Sequence, residues 1–142
     1  LQKPLSEDVL GGEQWQLGGV STAEWRGISL ANLLESAGVR PDTVEIQFSG
    51  SDGFARSLPI ETALAAETIL ATGMNGNDLP RVHGGPVRLL VPGWYGMASI
   101  KWLARIVVID KPFQGFFQTL QYSHWERPNG TPTLMPVTEM RV

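Results

Sequence analysis

The sequence predicts an α+β fold in which mixed β-sheets are interspersed with short helices. Its 142 residues include 16 glycines and 10 prolines, which predicts many turns and short elements. Apolar residues alternate with polar ones in some segments and follow helical spacing in others, without the regular strand–helix rhythm of a doubly wound sheet. A content of 42% hydrophobic and 18% charged residues is typical of one compact domain with its own core.

The first helix is predicted directly after Ser29, whose hydroxyl oxygen can accept a hydrogen bond from a backbone amide of the first turn. Gly38 provides the end of the helix, because glycine readily adopts the left-handed conformation found there. The apolar residues in between have the spacing of one helix face: Leu30, Leu33, Leu34 and Ala37. The segment therefore predicts a short amphipathic helix.

A half-buried strand and a second helix are predicted next. Val44, Ile46 and Phe48 alternate with polar residues, which indicates a strand with one buried face. Pro59 suits the first turn of a helix, because the amide hydrogen that it lacks would have no partner there. We therefore expect a helix over residues 60–66.

Three further strands are predicted from apolar runs at residues 68–72, 87–91 and 106–109. The Asn-Gly-Asn-Asp sequence at residues 75–78 predicts a tight turn after the first of these runs. Each run is short and is bounded by glycine, proline or polar residues. This arrangement supports the α+β interpretation.

The ends of the chain carry weaker signals. Trp15 and Leu17 alternate with polar neighbours ahead of two glycines, which predicts a short strand. Residues after Pro112 are rich in aromatic side chains and are predicted to be irregular. Residues 136–142 have the pattern of a strand that leads into a further part of the protein. Since the chain begins with Leu1 rather than Met, we expect it to be part of a longer protein.

Composition excludes several classes of function. A formal net charge of −3 gives no electrostatic support for a general nucleic-acid-binding role. The chain has no cysteine, so disulfides and thiolate metal sites cannot form within it, and cysteine usage indicates no compartment. No apolar run approaches the roughly 18 residues that a membrane-spanning helix needs.

A cationic window is the feature most suggestive of chemistry. Residues 79–109 contain no aspartate or glutamate, although the chain as a whole is acidic. Glycines within the window allow backbone amides to approach a ligand closely, and arginine and lysine suit phosphate. The window thus predicts a pocket for an anionic, phosphate-bearing ligand, with an ordinary glycine- and proline-rich surface loop as the alternative. Its basic side chains are Arg81, His83, Arg88, Lys101 and Arg105.

The amino-acid sequence of the window resembles that of a known family. The segments at residues 83–88 (His-Gly-Gly-Pro-Val-Arg), 91–96 (Val-Pro-Gly-Trp-Tyr-Gly) and 99–103 (Ser-Ile-Lys-Trp-Leu) closely resemble the molybdopterin-binding domain of the sulfite oxidase family. Segments at 18–27 and 117–122 are also similar to that family. The resemblance covers nearly the whole chain, and it implies a sulfite-oxidase-type molybdopterin-binding fold.

The resemblance implies an oxidoreductase that uses a molybdenum–molybdopterin cofactor. The family oxidises sulfite to sulfate by oxo transfer and then passes electrons one at a time to a haem or a cytochrome c. The expected partners are therefore sulfite or a similar small anion, a cytochrome c-type electron acceptor, and a second copy of the full-length protein in a homodimer. Bacterial relatives are often exported, which leaves a periplasmic location open.

Two short segments are implied as the cofactor-binding residues. His83 and Arg88 would contact the pterin and its phosphate. Ser99, Ile100 and Lys101 would form a second contact segment, through their backbone and through the lysine ammonium group. The alternative for Ser99 and Ile100 is ordinary packing, since their side chains carry no chemistry of their own.

Two more residues follow from the resemblance. Tyr122 matches the family's active-site tyrosine and would donate a hydrogen bond to an oxo group or to the substrate; the alternative is a core aromatic residue. Asp52 matches an acidic pterin contact, although the loop is shorter here; the alternatives are that Gly50 takes that place and that Asp52 is a turn former.

This chain departs from the family in one respect. The family's molybdenum ligand is a cysteine that precedes the region of Trp15, and this chain has no cysteine. We therefore expect a domain truncated at both ends, without the cysteine segment and a C-terminal dimerisation domain, and inactive by itself. The alternative functions are a related molybdopterin reductase acting on sulfoxides or nitrate, and a non-catalytic anion-binding module.

Overall fold

Two antiparallel sheets and a separate hairpin make up the computed structural model, which describes residue 19 and residues 21–121, 123–131 and 133–136. Two short helices connect the strands, and the predicted α+β class is confirmed. The helices are α1 (Leu30–Ala37) and α2 (Ile60–Ala63). The strands are β1 (Trp25–Ser29), β2 (Glu45–Gly50), β3 (Ala55–Pro59), β4 (Ile69–Met74), β5 (Asn77–Asp78), β6 (Arg88–Leu90), β7 (Leu103–Ile109), β8 (Ser123–Glu126) and β9 (Thr133–Pro136).

The first sheet is built around β4. Strand β1 pairs with one edge of β4, while β5 and β6 pair with successive parts of its other edge. The turn between β4 and β5 has positive φ at Asn75 (51°) and Gly76 (76°), as a two-residue type I′ hairpin requires. The tight turn predicted from the Asn-Gly sequence is therefore confirmed.

The second sheet has the order β3–β2–β7. Along β2 the buried residues are Ile46 and Phe48, with partly exposed residues between them, so the alternation predicted from the sequence is confirmed. Ile46 lies opposite Leu58 of β3, and Phe48 lies opposite Arg56. Since cross-strand partners share a face, these residues point to the same side of the sheet.

Helix α1 begins and ends as the sequence predicts. Ser29 is the N-cap, and its hydroxyl accepts a hydrogen bond from the Asn32 amide at 3.5 Å. Gly38 ends the helix in the left-handed conformation, with φ of 76°. The buried stripe is narrower than expected: Leu30 and Leu34 are buried, but Leu33 is 39% exposed.

Other boundaries differ from the prediction. Helix α2 is a single turn that ends at Ala63, and Pro59 is its N-cap rather than its first helical residue. The prediction that the chain is irregular after Pro112 was wrong, because a π-helix spans Phe117–Gln121 and the hairpin β8–β9 follows it. Thr119 stabilises the helical turn by donating its hydroxyl to the Gly115 carbonyl at 2.9 Å.

The core lies between α1, the two sheets and the segment that follows β6. Its buried members from α1 and the sheets are Leu30, Leu34, Ile46, Phe48, Leu58, Leu70 and Leu89. Val91, Ala98 and Ile100 extend the same cluster into the segment between β6 and β7. The backbone of that segment is thereby anchored by apolar packing, which fixes the part of the chain that carries the cationic window.

Arg56 is a fully buried charge within this core, with 2% of its surface exposed. Its guanidinium group contacts the Met97 sulfur and lies 5.4 Å from the centre of the Trp94 ring. Burying a charge is costly unless it is compensated. The contacts of Arg56 with Met97 and Trp94 compensate for this burial and join β3 to the turn that precedes Ser99.

Several predictions fall on residues outside those that the structure describes. They include the strand at Trp15 and Leu17, the extended pattern at residues 137–142, and Tyr122. Among the described helices, none has the length and apolarity to cross a lipid bilayer.

Phe48→Ala is expected to lower the free energy of unfolding by about 3–5 kcal/mol, because Phe48 is completely buried and its loss would leave a cavity. Phe116→Ala is the matched control, since that ring is 57% exposed, and it should cost about 1 kcal/mol or less. Urea denaturation measures both. Equal losses in the two variants would contradict the placement of the core.

Candidate functional site

Three segments of the cationic window and its surroundings meet at Lys101. They are the loop at residues 49–53, the turn at 81–85 and the segment at 99–103. We call this meeting point the Lys101 junction. The glycines and hydrogen bonds around it show how closely the backbones approach.

Gly84 allows the turn to pack directly on Lys101. A β-carbon at Gly84 would lie 2.8 Å from Lys101 Cβ and 2.9 Å from its Cα, closer than real β-carbons come. Gly84 also has φ of 104°, a conformation that residues with side chains rarely adopt. The Trp102 amide donates to the Gly84 carbonyl at 3.0 Å, which locks the two segments together.

Gly50 allows a similar approach from the other loop. A β-carbon there would lie 2.7 Å from the Lys101 carbonyl oxygen and 2.5 Å from Asp52 Oδ1. The Ser51 amide donates to the Trp102 carbonyl at 2.9 Å. Glycine is thus required at both places where the backbone of Lys101 is enclosed.

Asp52 lies in this same loop but forms a turn. Its Oδ1 accepts a hydrogen bond from the Phe54 amide at 3.1 Å, and its side chain is exposed. This is the turn-forming alternative that the sequence left open. The loop is next to Lys101, so a pterin contact by Asp52 stays a prediction.

Arg88 links the turn at residues 81–85 to the segment at 99–103. Its Nη1 donates to the His83 carbonyl at 3.0 Å, and its Nη2 donates to the Ser99 carbonyl at 3.0 Å. The guanidinium carbon lies 5.1 Å from the centre of the Trp25 ring. Burial lowers the pKa of Arg88 from its ordinary value, because desolvation disfavours the charged form. A guanidinium nevertheless stays charged at neutral pH.

The Nε of Arg88 differs from the two Nη atoms, which both have hydrogen-bond partners. This Nε is buried and has no hydrogen-bond partner among the residues that the structure describes. An unsatisfied buried donor is costly, and charged groups cost more than neutral ones. An acceptor placed beside this atom would therefore lower the cost of its burial.

Lys101 donates its ammonium group to the Val82 carbonyl at 3.2 Å. The same ammonium lies 5.1 Å from the centre of the Trp102 ring, within the range of a cation–π contact. Arg88 and Lys101 thus bind the successive carbonyls of His83 and Val82. The structure brings these two predicted residues together on one turn.

The remaining predicted residues have different surroundings. The His83 side chain is exposed, and only its carbonyl takes part in the contacts described above. Ser99 Oγ accepts from the Val91 amide at 3.1 Å. Ile100 is 3% exposed and belongs to the core, while its carbonyl accepts from the Leu89 amide at 2.9 Å. Packing is therefore what the structure shows for Ile100, and ligand contacts by Ser99 and Ile100 stay predictions.

Within the described part of the chain, Arg88 and Lys101 form no ion pair, and the acid of the junction, Asp52, accepts a hydrogen bond from the Phe54 amide instead. Among the described residues the ion pairs are Arg26–Asp78 and Arg40–Asp42, and neither touches the Lys101 junction. Backbone carbonyl oxygens hold both cations instead. The junction therefore keeps its positive charge, which favours an anionic ligand.

A cleft of about 540 Å³ opens beside the junction. Its walls include Ser51, Arg81, Pro86 and Trp102, but not His83, Arg88 or Lys101. In the part of the chain that the structure describes, no three histidine, aspartate or glutamate residues gather as metal ligands.

Sequence reasoning did not assign a role to Trp102, or to Gly84 by itself. Both were quoted only as parts of a motif. A signal was present for Gly84, since paired glycines beside a histidine indicate close backbone approach. No sequence signal indicated that Trp102 adopts φ of 48°, because a bulky aromatic residue is rarely found there.

Comparison with known proteins gives a consistent set of similarities. A sequence model described as "Oxidoreductase molybdopterin binding domain" matches residues 2–117. Mitochondrial sulfite oxidases from Rattus norvegicus and Homo sapiens are 38% and 39% identical to the chain over 126 residues, which is 82% of the chain. NADH nitrate reductase 1 from Phaseolus vulgaris is 37% identical over 75% of the chain.

A solved structure is similar as well. The sulfane dehydrogenase SoxCD from Paracoccus pantotrophus matches with a TM-score of 0.69 and 33% identity, over 79% of this chain and 29% of that one. The chain spans 22% of the length of the two sulfite oxidases and 14% of the nitrate reductase. The similarity therefore covers a limited part of each relative.

Gly84→Ala is expected to destabilise the fold and to open the Lys101 junction, because the new methyl group would clash with Lys101 and the left-handed backbone costs an alanine about 1–2 kcal/mol. Gly76→Ala is the matched control. Gly76 also has positive φ (76°), but nothing lies within 4 Å of the added carbon. Thermal denaturation should show a larger loss for Gly84→Ala, and equal losses would contradict the close approach.

Proposed function

Because the chain belongs to the family of oxidoreductase molybdopterin-binding domains, we propose that it is part of an enzyme that oxidises sulfite to sulfate and passes electrons singly to a cytochrome. A molybdenum–molybdopterin cofactor in the full-length protein, a cytochrome c-type acceptor and a homodimeric assembly belong to the same proposal. The observation that carries it is the Lys101 junction, where two uncancelled cations are held on one glycine turn.

The residues present fit the phosphate end of the cofactor. The Arg88 Nε is a buried donor without a described partner, so an anion oxygen at this point would relieve an existing cost. Gly84 and Gly50 leave no side chain between the loops and Lys101. Bidentate guanidinium and point-charge ammonium donors are both well suited to phosphate.

We assign His83, Arg88 and Lys101 to the pterin and its phosphate, with the Ser99–Ile100 backbone and Asp52 beside them. When bound, the cofactor supplies the redox chemistry, and the protein binds it, orients it and tunes it. Arg88 and Lys101 would neutralise the phosphate charge. The turn at residues 81–85 would fix the distance between the two cations.

Tyr122 is assigned to the substrate side of the proposed site. Its phenolic hydroxyl would donate a hydrogen bond to the substrate anion and hold it in place. Molybdenum ligation is assigned to no residue of this chain, since the family's ligand is a thiolate and the 142 residues contain no cysteine.

A reductase function is the second candidate. The identity of 37% to a nitrate reductase is close to the 38% shared with rat sulfite oxidase, so similarity alone does not separate the two reactions. Substrate choice depends on the groups around the reacting anion. A panel of sulfite, nitrate and sulfoxide substrates would distinguish the candidates.

The enzymatic proposal predicts that the full-length protein, purified from a host that makes molybdopterin, contains molybdenum and reduces cytochrome c when sulfite is added. Elemental analysis and the absorbance of reduced cytochrome c measure the two properties. Molybdenum with turnover of nitrate alone would favour the reductase. Protein without any molybdenum would overturn the proposal and favour a non-catalytic anion-binding module.

Lys101→Met is expected to weaken binding of inorganic phosphate by roughly tenfold or more, because charge-assisted hydrogen bonds contribute about 1.5–3 kcal/mol. Cofactor-free full-length protein is the sample, and isothermal titration calorimetry gives the dissociation constants. Lys111→Met is the matched control, since Lys111 is also exposed and lies outside the junction. Equal affinity in both variants would remove Lys101 from the proposed phosphate site.

A further inference from the structure

We infer that Trp102 is the positioning residue of the Lys101 junction: its backbone and its indole together hold Lys101 and the turn at residues 81–85 in the arrangement that receives a phosphate group. The inference rests on the proposed function, because it concerns the same phosphate site. Trp102 itself need not touch the ligand. Its contribution is the geometry of the groups that do.

The backbone of Trp102 ties both loops to the segment at 99–103. Its amide donates to the Gly84 carbonyl at 3.0 Å, and its carbonyl accepts from the Ser51 amide at 2.9 Å. One residue therefore links the turn at 81–85 to the loop at 49–53. Lys101 precedes it directly, so the path of the Lys101 backbone is set from both sides.

The indole makes two more contacts on the same turn. Its Nε1 donates to the Arg81 carbonyl at 2.7 Å. Its ring lies 5.1 Å from the Lys101 ammonium. Together with the bond from Lys101 to the Val82 carbonyl, these contacts fix the ammonium without neutralising it.

The backbone of Trp102 is strained in this arrangement. Trp102 has φ of 48°, in the left-handed region that a bulky aromatic residue rarely adopts. Glycine or asparagine would fit this backbone more easily. Strained residues persist where their surroundings hold them, and they cluster at ligand sites. Any residue could make the backbone bonds, and glycine could make them without strain, so what tryptophan adds at this position is its side-chain contacts.

Trp102→Phe separates the two parts of the side chain, since it removes the Nε1 donor and keeps a ring for the ammonium. With cofactor-free full-length protein and inorganic phosphate as the probe, we expect the dissociation constant to rise by up to about fivefold, because the loss of one internal hydrogen bond lowers the population of the binding arrangement. Trp94→Phe is the matched control. Trp94 is also partly buried but contacts Arg56 instead of the junction, so its variant should bind phosphate within about twofold of the wild type.

The same variants, produced with the cofactor, give a second readout. Molybdenum per polypeptide should fall in Trp102→Phe and stay near the wild-type level in Trp94→Phe. A lower melting temperature of Trp102→Phe with unchanged phosphate affinity would show a merely structural tryptophan and overturn the inference, while leaving the proposed function intact. Wild-type protein that binds neither phosphate nor molybdenum would instead overturn the proposed function, and this inference with it.

If Trp102→Phe does not fold, the wild-type sequence still tests the inference. Fluorine NMR of protein labelled with 5-fluorotryptophan reports on each indole, and the Trp102 resonance is the one that moves in Lys101→Met. Phosphate should shift this resonance in the wild type, because the bound anion changes the electrostatic environment of the ring beside the ammonium. Phosphate binding that leaves the resonance in place would count against the inference.

Discussion

The site depends on one steric constraint, the contact between the turn at residues 81–85 and the backbone of Lys101. Gly84 meets the α- and β-carbons of Lys101 at a distance that no side chain would tolerate. This contact brings the carbonyls of Val82 and His83 within reach of Lys101 and Arg88. Without this contact the side chains of Arg88 and Lys101 would not bind carbonyls of the same turn. The glycine is therefore as necessary to the geometry of the junction as the charged residues are.

The way in which the cations are held explains why the site can serve an anion. A carboxylate partner would fix Arg88 or Lys101 equally well, but it would cancel the charge that a phosphate needs. Backbone carbonyls are dipoles with no net charge, so they orient the two side chains and leave the charge available. The absence of acidic residues from positions 79–109 is consistent with the proposed anion site.

The sequence was a good guide wherever a local rule applied. The cap residues of α1, the alternation along β2 and the Asn-Gly turn all follow from short-range chemistry, and the structure has each of them. It was a poor guide where tertiary contacts decide. Arg56 contacts the distant Met97, and Gln118 of the π-helix accepts hydrogen bonds from the amide and hydroxyl of the distant Ser57. The positive charge of the window was evident from the sequence, but the left-handed Trp102 was not predictable from it.

The packing of the core also fixes the backbone of the proposed site. Ile100 is buried among the residues of both sheets, and Lys101 and Trp102 follow it directly. Its carbonyl also pairs with the Leu89 amide, next to Arg88. Apolar burial thus fixes the two chain segments from which the cations project, and the glycine turn closes over them. Because packed cores resist small displacements, this anchoring fixes the backbone from which the two cations project.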